Sequence, residues 1–144
     1  MKIFLDSSIL IDFLRASGQE KSSDVIKSLK TGNTGFVSSI TVAEVSVGAY
    51  RSTRRDAVQK TRELFSNLRI IDLDEKIAVD GGRIQAQLMS AGKEIDLPDC
   101  LIAATALSLG MNVIITRNLD HFSRIQSITA ITPEQFLDNN PKKV

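Results

Sequence analysis

Short, almost wholly apolar runs alternate along this chain with segments whose apolar residues recur at helical spacing, and that alternation leaves few folds open. Ile3-Phe4-Leu5, Phe36-Val37, Ile70-Ile71 and Val113-Ile114-Ile115 show no polar face, so each reads as a strand buried on both sides. Strands are expected over residues 2–6, 35–39, 69–73, 112–116 and about 127–131. Helical spacing marks 8–15, 20–31, 41–50, 53–67, 75–91 and 97–109, with a helical turn near 119–123. A last helix begins at Thr132-Pro133-Glu134, with proline at its first position. In the segment 75–91, Ile77, Ala78, Ile84, Leu88 and Met89 are expected to face inward. The pattern predicts an α/β fold, a three-layer α/β/α sandwich around a parallel sheet of four or five strands. By length, residues 1–144 read as a single domain, with the polar tail 139–144 frayed.

In a sheet of this kind, ligands collect beyond the carboxyl ends of the strands, where the crossover helices open. Three acids fall there. Asp6 ends the first apolar run, Glu44 follows the second, and Asp99 opens the helix that leads into the strand at 112–116. Each also has a local explanation. Asp6 can cap the helix near Ser8, and Thr41 with Glu44 fits a capping box. Asp96 can cap the helix that Pro98 begins, which leaves Asp99 in its first turn. Because all these helix starts lie on one edge, even the local explanations gather the acids together.

Two carboxylates about 5 Å apart repel by roughly 3 kcal/mol at an effective dielectric of about 20. A cluster of them must take up protons or hold a cation, and no lysine or histidine is obviously placed to neutralise it. Hard oxygen donors with room for water suit Mg²⁺ or Mn²⁺ rather than zinc. Such an ion acidifies a bound water and steadies charge on a phosphoryl group, so the residues point to metal-assisted phosphodiester hydrolysis.

Composition narrows the alternatives. One cysteine, Cys100, allows no internal disulfide and fits a reducing, cytoplasmic setting, and a single histidine, His121, argues against a structural zinc site. No apolar stretch approaches the roughly 20 residues that span a bilayer. The net charge is only +1, yet Arg51, Arg54, Arg55, Lys60 and Arg62 fall in one stretch and Asp72, Asp74, Glu75 and Asp80 in another. A solvated helix face is the ordinary reading of the basic stretch. A basic stripe near an acidic pocket is also what an enzyme acting on nucleic acid needs.

Four of these segments, taken in order, resemble the motifs of PIN-domain proteins. They are Leu5-Asp6-Ser7-Ser8-Ile9-Leu10-Ile11-Asp12-Phe13-Leu14, Thr41-Val42-Ala43-Glu44-Val45-Ser46-Val47-Gly48, Asp99-Cys100-Leu101-Ile102-Ala103-Ala104-Thr105-Ala106-Leu107 and Ile115-Thr116-Arg117-Asn118-Leu119-Asp120-His121-Phe122. The most similar group is the VapC-like toxins of prokaryotic toxin–antitoxin pairs. That resemblance implies an endoribonuclease dependent on Mg²⁺ or Mn²⁺, usually a homodimer, acting on RNA and inhibited by a VapB-like antitoxin. Asp6, Glu44 and Asp99 match the three family acids and would hold the metal. The chain departs at the fourth position, where the family often has aspartate in place of Asn118 and of His121. Asn118 or the neighbouring Asp120 is then expected to complete the site.

Thr116 matches the family's strand-end hydroxyl, and Ser7 stands in a similar place after Asp6. Arg15 and Arg117 are the candidate RNA-phosphate contacts. Asp12, six residues beyond Asp6, falls outside the site, and His121 is read as packed or solvent-facing rather than as a general base. Residues around Ile11, Phe13, Leu14 and Val47 to Tyr50 could form a groove for the antitoxin. Two rivals remain: a PIN-like binding module weakened by Asn118, and a phosphoacceptor receiver domain. Asp72 could mimic the receiver's acceptor, but no lysine follows residues 127–131.

Overall fold

The computed structural model describes residues 1–15 and 20–140. Five parallel strands form one sheet: β1 (Lys2–Leu5), β2 (Thr34–Ser38), β3 (Leu68–Ile71), β4 (Val113–Ile115) and β5 (Thr129–Ile131). Their spatial order is β3-β2-β1-β4-β5. The helices are α1 (Ser7–Leu14), α2 (Glu20–Lys27), α3 (Ser39–Arg51), α4 (Ala57–Ser66), α5 (Glu75–Ser90), α6 (Leu97–Ser108), α7 (Leu119–Phe122) and α8 (Pro133–Asn139). A short 3₁₀ turn, Ser28–Lys30, follows α2.

The period-two geometry of strands sorts the apolar runs into two cores. Phe4, Phe36, Ile114 and Ala130 face one side, packed with α5, α6 and α7. Ile3, Leu5, Val37, Ile115 and Ile131 face the other, packed with α1, α2, α4 and α8. The small side chains of Ala103, Ala104 and Ala106 are buried and bring α6 close to the sheet. The three layers and the parallel sheet are those expected.

Local chemistry fixes the helix ends. Asp74 accepts from the Ile77 N–H at 2.8 Å, and Thr132 and Gln135 close a reciprocal capping box at α8. Gly92 and Gly110, at φ 68° and 71°, follow α5 and α6 in the left-handed conformation that glycine alone adopts freely. Of the tail expected to fray, residues 141–144 lie outside the described residues. Asn139 closes α8, and the Asn140 N–H bonds the Phe136 carbonyl.

Three expectations need correction. Helix α3 starts at Ser39 rather than at residue 41, because Ser38 takes the cap and its hydroxyl accepts from the Ile40 N–H. The Thr41–Glu44 capping box therefore does not form; Thr41 is buried in the first turn and Glu44 sits in the second. Ala78 and Met89, expected inward, are both exposed, because the buried stripe of α5 runs Ile77, Gly81, Ile84, Leu88. The receiver alternative also falls. In that fold the first strand lies between the second and third, whereas here β1 lies between β2 and β4.

Gly81 explains the close approach of α5 to α6. A Cβ there would meet Leu101 Cδ2 at 2.5 Å and Leu101 Cα at 3.3 Å, while one on neighbouring Gly82 would meet nothing within 4 Å. Gly82→Ala is therefore expected to stabilise by about 0.5–1 kcal/mol through helix propensity. Gly81→Val is expected to destabilise by about 1–3 kcal/mol through overpacking. At about 2–4 °C per kcal/mol for a chain of this size, thermal melts should move in opposite directions. Shifts of the same sign would contradict this account of the interface.

Candidate functional site

The strand order reverses at β1 and β4, and the crevice between their carboxyl ends is where the site forms. Two backbone hydrogen bonds carry the ladders one residue past the strands: Asp6 N–H to the Ile115 carbonyl at 3.1 Å, and Thr116 N–H to the Ile131 carbonyl at 2.9 Å. Asp6 and Thr116 are thereby set side by side. Asp6 is 4% exposed, and its Oδ2 accepts from Thr116 Oγ1 and Ser8 Oγ, both at 2.8 Å. The same oxygen caps α1 through the Ser8 N–H at 3.4 Å, so capping and site duty coincide in one residue.

Each hydroxyl has its proton directed by a backbone donor. Thr116 Oγ1 accepts from the Asn118 N–H at 2.8 Å, and Ser8 Oγ accepts from the Arg117 N–H at 2.9 Å. With those lone pairs used, both hydroxyl protons point at Asp6. Glu44 is held in the same way. Ser7 Oγ lies 2.7 Å from Glu44 Oε1 and 3.1 Å from Thr41 Oγ1. Ser7 has one hydroxyl proton to give, and the shorter, charge-assisted bond to Glu44 takes it. Ser7, expected as a substrate contact, is buried and positions Glu44 instead.

Asp99 stands in the first turn of α6, and its side chain is 15% exposed. Its Oδ2 lies 2.8 Å from His121 Nδ1, which is also 2.9 Å from Asn118 Nδ2. One ring nitrogen cannot donate to a carboxylate and accept from an amide at once. With Asp99 ionised, the proton belongs on Nδ1, and the network then assigns the Asn118 carbonyl oxygen to the ring side. Sequence reasoning had set His121 outside the site. The available signal was its place three residues after Asn118, one face of the short helix α7.

Burial raises the Asp99 carboxyl above its ordinary value; the His121 bond opposes this and the Asp6 charge adds to it. Glu44 is raised as well, first by burial of its carboxyl end, against the Ser7 hydrogen bond, with Asp6 and Asp99 adding repulsion. The three acids thus feel one another's charge. Burial also lifts the Cys100 thiol to about 11, which leaves it protonated and inert.

Each acid commits one oxygen to its positioning partners. Asp6 Oδ1, Glu44 Oε2 and Asp99 Oδ1 accept no hydrogen bond among the described residues. They are not sealed in either, since among the described residues the one buried side-chain polar atom without a partner is Arg117 Nη2.

Two expected site residues are engaged elsewhere. Asp120 is 76% exposed and pairs with Arg124 at 2.9 Å, because one residue along α7 turns it away from the face that carries His121. Arg117 folds back from the crevice. Its Nε reaches Asp12 at 3.3 Å and Ser22 at 3.2 Å, and its Nη1 reaches both Glu134 oxygens at 2.7 Å. Although burial alone would raise the Glu134 carboxyl, the bonds from Arg117 hold it below its usual value. With two carboxylates on it, Arg117 is a tie between β4, α1 and α8, not a free phosphate contact. Arg15 is exposed and lines a groove that begins at Glu44.

Residues 3–128 match the PIN domain family. Ribonuclease VapC2 of Haemophilus influenzae is 35% identical over 128 residues, 87% of this chain and 92% of the relative. The tRNA(fMet)-specific endonuclease VapC of Salmonella typhimurium is 37% identical over 93 residues, 64% of this chain and 70% of that one. Among solved structures, DNA-bound VapBC from Salmonella typhimurium gives a TM-score of 0.78 at 28% identity, covering 92% of this chain and 98% of that chain. VapBC2 from Rickettsia felis, bound to a DNA fragment from its promoter, gives 0.77 at 26% identity with the same coverage. With its motifs in order, its sheet in register and the match running almost end to end, this chain belongs to the PIN-domain family, among the VapC-like toxins.

Proposed function

We propose that this protein is a VapC-type endoribonuclease that hydrolyses RNA phosphodiester bonds at the Asp6–Glu44–Asp99 crevice, paired with a VapB-like antitoxin. The observation that carries the reading is the arrangement of the acids: three carboxylates that feel one another's charge, each fixed through one oxygen, with the second oxygen of each taking no hydrogen bond among the described residues. The relatives at 35% and 37% identity carry the names ribonuclease and tRNA(fMet)-specific endonuclease, and structural neighbours are toxin–antitoxin complexes. The second oxygens have no use in stabilising the fold. Neither the binding module nor a purely structural role requires them.

The donor set fits a hard divalent cation. Among the described residues no group of three His, Cys, Asp or Glu side chains forms a metal cage by itself. Mg²⁺ and Mn²⁺ do not need one, because such ions keep several waters and take one or two carboxylates. When bound, the ion supplies an acidified water and charge for the phosphoryl oxygens. Asp6, Glu44 and Asp99 would hold it; Ser7, Ser8, Thr116 and His121 keep the acids in place. A water nucleophile leaves the ribose 2′-hydroxyl unused, so an RNA with a single 2′-deoxy sugar at the cut should still be cleaved.

No helix among the described residues is long and apolar enough to cross a membrane. A reducing cytoplasm remains the compartment we assign, consistent with the lone buried thiol of Cys100.

Cleavage of RNA should require Mg²⁺ or Mn²⁺ and stop with EDTA. Asp6→Asn and Asp99→Asn should each lower turnover by more than about 100-fold, and Ser7→Ala or His121→Ala by about 10–100-fold. Full activity in EDTA, or in both aspartate variants, would refute the assignment.

Stability offers a second check. A carboxyl whose pKa is higher in the folded state penalises folding once ionised, and the penalty is complete above the folded value. In EDTA at about pH 7, Glu44→Gln should therefore melt about 1–2 °C higher than the parent, a small gain because water screens this exposed group. The gain should fade as pH drops through 4.5, the ordinary glutamate value, where both states carry the proton. Added Mg²⁺ should raise the parent's midpoint more than the variant's. Equal melting at about pH 7, or a gain that persists at about pH 4, would contradict repulsion among the acids.

A further inference from the structure

The basic stretch noted in the sequence has no part in the site as described, yet two of its members open directly onto it. A groove of about 510 Å³ between α1, α3 and α4 starts at Glu44, and Arg15, Arg54 and Lys60 line it. A second groove of about 450 Å³, between α1, α2 and α4, continues from the first and shares Leu14, Arg15, Arg54 and Lys60 with it. The second groove adds Lys27 and Lys30. Together they make one trough that leads away from the crevice.

Charge along the trough is strongly one-sided. Five cations line it against two acids, Glu44 at the crevice end and Glu63 in the second groove. Asp56 at the rim pairs with Lys60 at 3.3 Å and with Arg54 at 3.7 Å, but both pairs are exposed and therefore weak. Lys27 and Lys30 are exposed and make no salt bridge among the described residues. A chain with net charge +1 thus sets five of its 18 lysines and arginines along this trough, while Asp74, Glu75 and Asp80 lie with Lys76 at the start of α5 in the opposite layer. The floor beside Glu44 is low: a Cβ on Gly48 would meet nothing within 4 Å.

We propose that the trough is the track of the RNA strand flanking the cut, with Arg15, Arg54, Lys60, Lys27 and Lys30 on successive phosphates. The inference rests on the RNA-cutting reading above and extends it, because it names where the uncut part of the substrate lies. A track of this charge holds the backbone without reading sequence. It delivers a phosphate to Glu44, which repels it unless a cation is bound. Affinity therefore comes from the trough and cutting from the crevice.

The test uses a labelled single-stranded oligouridine long enough to span both grooves, bound to the Asp6→Asn chain so that it stays intact. Each phosphate contact contributes about 0.7 to the slope of log affinity against log salt. Lys27→Gln combined with Lys30→Gln should lower that slope by about 1.4 and weaken binding several-fold at low salt. Glu63→Gln should tighten binding, a reversal that mere damage to the fold would not produce. Lys76→Gln, on the opposite layer, should leave the slope unchanged. In the otherwise unaltered chain, the double lysine variant should raise KM for the same RNA.

An unchanged slope in the double lysine variant would overturn the track, while cleavage by the parent would leave the ribonuclease reading standing. A parent that binds with the full slope but cuts nothing in Mg²⁺ or Mn²⁺ would uphold the track and overturn the ribonuclease reading. RNA binding unaltered but inhibition by the cognate antitoxin lost would assign the trough to the protein partner and overturn the proposal.

Discussion

The bond from the Asp6 N–H to the Ile115 carbonyl is the constraint on which the site depends. It extends the β1–β4 pairing by one residue and places a nearly buried carboxylate beside the hydroxyl at the end of β4. Nothing about that residue is adjustable afterwards. Its backbone belongs to the sheet, its side chain caps α1, and one of its oxygens takes two hydroxyl protons. Glu44 and Asp99 are brought to it by helices that begin at the same edge, each held through a single oxygen. A slip of one residue in the β1–β4 register would turn Asp6 to the other face of the sheet and dissolve the cluster.

How much of this was legible in the sequence follows from the kind of force involved. The runs of β1 and β2 were legible because burial on both faces leaves few polar positions to confuse the period; the edge strand β3 leaves Ile70 exposed, yet all five strands emerged close to where they were expected. Asp6 and Asp99 were legible because covalent connection puts strand ends and helix starts on one edge. The cap of α3 was not. Ser38-Ser39-Ile40 continues an apolar run, and Ser38 competes with Thr41 for the same helix start; tertiary burial of Thr41 against Ser7 decides between them. Asp120 and His121 differ by one residue on a single helical turn, and only the packing of α7, with Phe122 fully buried, settles which faces Asp99. Arg117 was misread because its partners, Asp12, Ser22 and Glu134, come from three separate helices that no local pattern links.

Arg117 also shows how the site is kept acidic. Its backbone N–H serves the crevice through Ser8, while its guanidinium is drawn to the far side by Asp12 and Glu134. The two outer acids hold it there through charge-assisted bonds, Glu134 with both oxygens on Nη1 and Asp12 on Nε. The remaining Nη2 is buried without a partner among the described residues.

The acids are fixed by hydroxyls, and that choice has a chemical consequence. A lysine or arginine would hold a carboxylate more strongly than Ser7, Ser8 or Thr116 can, but it would lower the negative charge that a divalent ion needs. Hydroxyls fix geometry and leave the charge in place. The cost is a cluster that repels itself, seen in the raised carboxyls of Glu44 and Asp99. His121 stands apart from these hydroxyls, since it holds Asp99 through a ring nitrogen at 2.8 Å. In the proposed site a cation would be held by the three carboxylates of Asp6, Glu44 and Asp99, with the His121 ring beside the third.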